Sequence, residues 1–257
     1  EGELQRFVEM HPRSAELAES GRRHLLAGVP MPWMTRWPGA FPVHVASADG
    51  ARFVDVDGIE YVDFCLGDTG TMFGHSPDPI AKAISEQANN GLTTMLPGED
   101  AVVAGELLAA RFGLPYWQVT ATATDSNRYV LRWARGITER KVLLVFDGCY
   151  HGTVDDVMVE LAGGQTCNRQ GLLGQVADLT LGAVCVEFND LAAVEAALAK
   201  GDVAAVLTEP VMTNSCMVLP DAGFHAGLRA LTRASGALLM IDETHTISSG
   251  LGGYTRG

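Results

Sequence analysis

From residue 117 onward the chain alternates short aliphatic runs with helical patterns, and no other feature constrains its fold as much. Lys141 to Phe146, Val184 to Phe188, Val203 to Leu207 and Ala237 to Ile241 are nearly unbroken apolar runs. Runs of this length suit strands buried on both faces, as in a parallel sheet. Trp117 to Thr120 reads as a further strand. Asp125 to Gly136, Leu191 to Lys200 and Phe224 to Ser235 carry helical periodicity. Strands that alternate with helices build a doubly wound α/β sheet, which takes its ligands at the carboxyl ends of the strands. The last run ends there, on Asp242-Glu243-Thr244-His245-Thr246. A carboxylate at the mouth of an apolar strand costs free energy unless it has a partner. A protonated ring nitrogen is one such partner; an aspartate that merely caps the next loop is the plainer alternative.

The earlier part of the chain differs in kind. Residues 1–27 suggest a surface helix or two, broken at Pro12 and Gly28. Residues 28–42 are rich in Pro and Trp, too apolar for a solvated linker, and include Trp33 and Arg36. Val43–Ala46, Arg52–Val56 and Glu60–Phe64 read as three antiparallel strands turned at Asp49-Gly50 and Asp57-Gly58, a strong hairpin signal. Pro79 to Asn90 and Asp100 to Phe112 are amphipathic helices, and residues 163–182 are the least regular stretch.

Composition removes several classes of function. With 18 basic against 31 acidic residues, the formal charge is -13. An acidic chain without basic clusters has no electrostatic reason to bind nucleic acid or an anionic membrane. No apolar run is long enough to span a bilayer, and no signal-peptide pattern opens the chain. The five cysteines are scattered without CxxC pairing, which fits reduced thiols in a cytoplasm. The chain opens on Glu1 rather than Met and closes on Gly257 inside a Gly-rich loop. The expectation is therefore a trimmed or partial chain.

Three features fall at the carboxyl edge of the expected sheet. Thr120-Ala121-Thr122-Ala123-Thr124-Asp125-Ser126-Asn127 lies between a strand and a helix. Hydroxyls and a helix start there suit a phosphate; simple capping by Thr124 or Asp125 is the alternative. Phe146-Asp147-Gly148-Cys149-Tyr150-His151-Gly152 presents an aromatic and an imidazole between glycines, suited to a flat ring. Asp242 is the third, with Glu209 at the same edge. Together they suit a flat, phosphorylated nitrogen heterocycle, the chemistry of pyridoxal phosphate.

The chain resembles the class III, fold-type I aminotransferases, especially their glutamate-1-semialdehyde aminomutase-like branch. Asp55-Val56-Asp57-Gly58-Ile59-Glu60-Tyr61-Val62-Asp63-Phe64 resembles the family's D-x-D-G-x-x-Y-x-D-F segment, and Gly74-His75-Ser76-Pro77 its G-H-x-x-P loop. Tyr150-His151-Gly152, Glu209-Pro210 and Asp242-Glu243 resemble its Y-H-G, E-P and D-E. The resemblance implies a phosphate site at Thr122, Ala123 and Thr124, and a ring stacked on Tyr150 beside His151. It puts Asp242 on the pyridine nitrogen, Thr244 where a Val covers the other ring face, and His245 where Gln or Met neighbours the ring hydroxyl. Glu209 matches a Glu that pairs with a mobile Arg in some members. Outside the resemblance, Arg36 is a candidate for a substrate carboxylate, with a surface or interface salt bridge the commoner role of such a residue, and Trp33 is a candidate substrate contact.

The resemblance further implies a cytoplasmic homodimer with a small N-terminal antiparallel β segment (1–75) and a cofactor-binding large domain (76–257). Ala123, Asp125, Ser126, Thr244 and His245 depart from the family pattern. So do the lysines. Only Lys82, Lys141 and Lys200 occur, and none follows the Asp242 strand, where the family carries its Schiff-base lysine. The expected function is amino-group transfer, by an aminotransferase or aminomutase, on an amino acid or amino-aldehyde. The nucleophile and a C-terminal small domain are expected beyond residue 257. The alternatives are a non-catalytic relative that binds cofactor noncovalently or only dimerises, and a metal enzyme using Asp242, Glu243, His245 and His151. No H-E-x-x-H or similar spacing supports the last.

Overall fold

A computed structural model describes residues 2–255. Glu1, Arg256 and Gly257, which carry the two chain ends noted above, lie outside the described residues. The chain divides into two compact units, Glu1–Pro97 and Gly98–Gly257, whereas the motif-based line fell between 75 and 76. Among the described residues no helix is long and apolar enough to cross a membrane.

The first unit begins with α1 (Gly2–Met10) and α2 (Pro12–Gly21). Pro12 separates them because it has no N–H to give α1 and suits the first turn of α2. After two short 3-10 turns, Leu26–Gly28 and Pro32–Arg36, the chain forms the antiparallel meander β1 (Val45–Asp49), β2 (Arg52–Asp55) and β3 (Glu60–Val62). β1 starts and ends later than the pattern indicated, because its register pairs Asp49 with Arg52. α3 (Asp78–Ala88) completes the unit.

Ala18 and Val29 are the unit's only buried apolar residues among those described. Polar contacts hold it instead. Asp55 Oδ1 accepts the N–H groups of Asp57 (2.9 Å) and Ile59 (2.8 Å), and Oδ2 accepts the Tyr61 hydroxyl (3.1 Å). His11 reaches the same tyrosine oxygen at 2.5 Å, lies 3.5 Å from Asp55 and holds the Phe7 carbonyl at 2.6 Å. The Asp57 carboxylate takes the N–H groups of Arg13 (2.6 Å) and Ser14 (3.0 Å), donors left over at the start of α2. Asp55, Asp57 and Tyr61 of the D-x-D-G-x-x-Y segment thus fasten the N-terminal helices to the meander.

The second unit contains α4 (Glu99–Phe112), α5 (Ala123–Thr138), β4 (Val142–Phe146), β5 (Val159–Ala162), β6 (Gln165–Asn168) and β7 (Ala183–Val186). It continues with α6 (Leu191–Leu198), β8 (Val203–Thr208), α7 (Phe224–Ser235) and β9 (Leu238–Ile241). The main sheet is parallel throughout, in the order β7-β4-β8-β9. Crossover helices α6 and α7 precede β8 and β9, as parallel pairing requires. β8 is buried along its whole length, and Phe146, Phe188 and Phe224 meet edge to face beside it.

Three expectations need correcting. Trp117–Thr120 forms no strand and pairs with none of the described sheet, and Val119 is 84% exposed. β9 is not buried on both faces: it is an edge strand, half-buried, with Ile241 39% exposed. Residues 163–182 are partly regular. Gly163 and Gly164, both at positive φ, turn β5 into β6 as a two-residue hairpin.

Candidate functional site

Because the sheet is parallel, the segments after β4, β8 and β9 all emerge at one edge. The Asp242 N–H bonds the Thr208 carbonyl at 2.8 Å and extends the β8–β9 ladder by one residue. This seats the Asp242 carboxylate at the edge. Its Oδ2 accepts His151 Nδ1 at 2.8 Å and the Asn127 side-chain amide at 2.9 Å. Its Oδ1 accepts the Thr244 N–H (3.0 Å) and hydroxyl. Asn127 also donates to the His151 carbonyl at 3.1 Å. One amide therefore ties α5, the loop after β4 and the loop after β9 together.

The electrostatics follow from this geometry. Burial alone would raise the Asp242 pKa, but hydrogen bonds from His151, Thr244 and Asn127, with the imidazole's charge, hold it well below the usual carboxylate range. Burial would likewise lower the pKa of His151, which is 2% exposed. Its hydrogen bond to Asp242, with charge interactions from Cys149 and Asp242, raises it instead. Both shifts favour the charged form of the pair. His151 Nε2 is buried without a hydrogen-bond partner.

The start of α5 lies against the same loop. Thr122, rather than Thr124 or Asp125, is the N-cap: its Oγ1 accepts the Asp125 N–H at 3.1 Å. Thr124 instead accepts the Thr153 N–H at 3.1 Å, stitching the helix start to the Tyr150 loop. The approach is close enough to require glycine at 152. Its φ is +81°, and a Cβ there would stand 2.1 Å from Thr124 Oγ1 and 2.9 Å from Thr124 Cα. The first N–H groups of α5, those of Ala123 and Thr124, have no intrahelical acceptor, so this end suits an anion.

A second group of side chains stands at the end of β8. Glu209 Oε2 accepts both the N–H (3.1 Å) and the hydroxyl (2.6 Å) of Thr213, whose Oγ1 lies 2.7 Å from His245 Nδ1. Ser215 in the same turn donates to the Gly148 carbonyl at 2.8 Å, joining this turn to the loop after β4.

The structure thus joins Asn127, His151, Asp242 and Thr244 through one set of hydrogen bonds, and Glu209 with His245 through another, while Thr124 bonds Thr153 two residues beyond His151. Thr122 caps the helix start. Ala123, Asp242 and Thr244 also line an open cleft with Trp117, Asn127 and Leu239. Tyr150 is 43% exposed in the loop that carries His151. Trp33 and Arg36 are exposed on the Pro32–Arg36 turn of the first unit, where Trp33 packs edge-on against Trp37 at 6.1 Å. The sequence reading missed Asn127 and Thr213. Asn127 follows Ala123 by one helical turn, a spacing that puts both on one face; Thr213 carried no local signal. Among the described residues no His, Cys, Asp and Glu cluster could hold a metal ion.

The family model for aminotransferase class-III matches residues 33–254. A glutamate-1-semialdehyde 2,1-aminomutase of Gemmatimonas aurantiaca is 35% identical over 244 residues, covering 92% of this chain and 55% of that protein. The fold matches the crystal structure of a glutamate-1-semialdehyde-aminomutase from Pseudomonas aeruginosa PAO1, with TM-score 0.96 and 55% identity over 99% of this chain and 56% of that one. A variant of that enzyme has been solved in complex with PMP. An omega-transaminase from Sphaerobacter thermophilus matches with TM-score 0.85 and 29% identity, over 95% of this chain and 57% of that one. The chain spans about half the length of the curated relatives it matches.

Proposed function

The chain belongs to the class-III aminotransferases, and from that premise we propose that it is the cofactor-binding part of a pyridoxal-phosphate enzyme. The enzyme moves an amino group on an amino acid or amino-aldehyde, as an aminotransferase or a glutamate-1-semialdehyde-type aminomutase. One observation carries the reading: Asp242 is held ionised at the carboxyl edge of the sheet, inside the network that also holds the helix start and the aromatic loop.

When bound, pyridoxal phosphate supplies an electron sink for the carbon next to the substrate nitrogen. Asp242 keeps the ring nitrogen protonated by placing a fixed negative charge against it. His151 and Asn127 hold Asp242 in place. The Thr244 hydroxyl is the donor on Asp242 that can rotate away to admit a ring N–H. The α5 N–H groups with Thr122, Ala123 and Thr124 hold the phosphate, and Tyr150 covers one ring face. Thr244, His245 and Glu209 would complete the site around the ring.

Lys82, Lys141 and Lys200 are all exposed and none joins the Asp242 network. The nucleophilic lysine and a C-terminal small domain are therefore assigned to sequence outside these 257 residues. On this reading 1–75 is an N-terminal segment, 76–257 is an incomplete cofactor domain, and the protein is a cytoplasmic homodimer without nucleic-acid or membrane partners. The same exposed lysines favour the second reading, a non-catalytic relative that binds the cofactor noncovalently or only dimerises.

The test is borohydride reduction of a polypeptide extended to the length of the relatives and incubated with pyridoxal phosphate. The expected product is a yellow protein carrying one cofactor mass on a lysine beyond residue 257. Reduced protein without cofactor mass overturns the enzyme reading. A stoichiometric adduct on Lys82, Lys141 or Lys200 of the present chain overturns the assignment of the lysine. Cofactor bound without amino transfer selects the non-catalytic relative.

A further inference from the structure

The acid beside Asp242 is turned to a different task. Glu243 makes no contact with His151 or Asn127 in the Asp242 network. None of the ion pairs among the described residues includes it. Its carboxylate instead meets the chain 11 and 12 positions further on. Oε2 accepts the Tyr254 N–H at 2.8 Å, and Oε1 accepts the Thr255 N–H at 3.3 Å and the Thr255 hydroxyl. Its carbonyl accepts the N–H groups of Thr246 (3.0 Å) and Ile247 (2.9 Å). One residue therefore holds both ends of the loop 244–255.

Two successive backbone N–H groups that converge on one anion form a nest, which balances negative charge without a cation. Gly253 makes room for it. Its φ is +77°, and a Cβ there would stand 2.5 Å from Glu243 Oε2 and 3.0 Å from the carboxyl carbon, so a side chain at 253 could not share the space. The contacts within the loop are turns: the Ser249 N–H bonds the Thr246 carbonyl at 3.1 Å, and the Gly253 N–H bonds the Gly250 carbonyl at 3.3 Å. A loop held by turns stays closed only while its ends are tied.

Ile247, Gly252 and Thr255 of this loop line the cleft of about 800 Å³ in which Asp242 stands, together with Trp117 and Ala123. We propose that Glu243 is a positioning residue that latches the loop 244–255 in place as a wall of the Asp242 cleft. Of the two neighbouring acids, Asp242 serves the contents of the cleft and Glu243 its shape. Pyridoxal phosphate as the contents rests on the cofactor reading above; the latch does not.

Glu243→Gln replaces one acceptor oxygen by an amide group that only donates, so N–H is set against N–H. In the cofactor-free chain, amide exchange at Tyr254 and Thr255 is expected to quicken at least about tenfold, the worth of a charge-assisted hydrogen bond, while β8 keeps its protection. The indole N–H signal of Trp117, assigned with Trp117→Phe, is expected to shift as the wall opens. Gly253→Ala reaches the same contact from the other side and should reproduce both changes with Glu243 in place. The double variant should be no worse than either single one, because both act through one contact. Unchanged exchange at 254 and 255, or two effects that add in full, overturns the latch. An unmoved Trp117 signal overturns the role of the loop as a wall. With pyridoxal phosphate bound, Glu243→Gln is expected to raise the dissociation rate about two- to tenfold and to leave the His151 ring signals where they are. A dissociation rate equal to that of the parent overturns the part of the wall in holding the ligand. A parent chain that binds no pyridoxal phosphate defeats the cofactor reading instead, and amide exchange with the Trp117 signal then decides the latch.

Discussion

Each unit of the chain buries an aspartate beside a histidine, and the two pairs serve different ends. In the first unit the pair is closed: both oxygens of Asp55 and both ring nitrogens of His11 are engaged by Phe7, Asp57, Ile59 and Tyr61. In the second the pair is open: Asp242 lines a cleft, and His151 Nε2 is buried without a partner. The difference follows from what else holds each unit together. With only Ala18 and Val29 as buried apolar residues among those described, the first unit relies on polar contacts as other domains rely on a core. The second has an apolar core along β4 and β8, so its ion pair is available to serve a ligand. A buried pair with every atom satisfied is architecture, and one that leaves an atom unsatisfied at a sheet edge marks a site.

The sharpest way to break this contrast is Asp55→Ala. It strands His11, Tyr61 and two backbone N–H groups, so about 3–5 kcal/mol of stability should be lost. Hydrogen exchange across β2 and β3 should rise accordingly; unchanged protection there would show that the closed pair is not what holds the meander.

Asp242→Asn comes next and should act on binding and on pH dependence. Pyridoxal-phosphate affinity, followed by absorbance, should fall at least about tenfold, as expected when a charge-assisted contact is lost. His151 has a raised pKa, about 9 against an ordinary 6.5. Its contribution to stability is present in full below 6.5 and is lost as pH rises through 9. Asp242 has a lowered pKa, so its contribution is present above the ordinary 3.8 and is lost as pH falls below it. Denaturant midpoints of the parent should therefore decline between pH 6.5 and 9, and those of Asp242→Asn should lack that decline. The same slope in both would remove the ion pair from the account.

Gly152→Ala should have a smaller effect. A Cβ at φ +81° and 2.1 Å from Thr124 Oγ1 should cost about 1–3 kcal/mol and lower cofactor affinity by parting the helix start from the Tyr150 loop. A neutral result in thermal melts would show that the two segments yield easily. The smallest effect is expected for Arg52→Ala, which removes an exposed pair with Glu60 in the first unit. The loss should be below about 1 kcal/mol, in contrast to the buried pair a few residues away.

What the sequence determined by itself was local. Unbroken aliphatic runs marked β4 and β8, the Asp-Gly pairs marked turns of the meander, and helical periodicity marked α5, α6 and α7, because propensity and pattern act over a few neighbours. Asp242, His151 and Thr124 were recognisable as residue types at strand ends and a helix start. Only the tertiary structure decided which of them meet. Asn127 and Asp242 are 115 positions apart, and His151 and Asp242 are 91 apart, joined by the lateral order of a parallel sheet. That same order made β9 an edge and left Trp117–Thr120 without a strand to pair with. It also gave Glu209 its partner in Thr213 and, through it, His245. Pairing and order are set by long-range contacts, and no short stretch of residues encodes them.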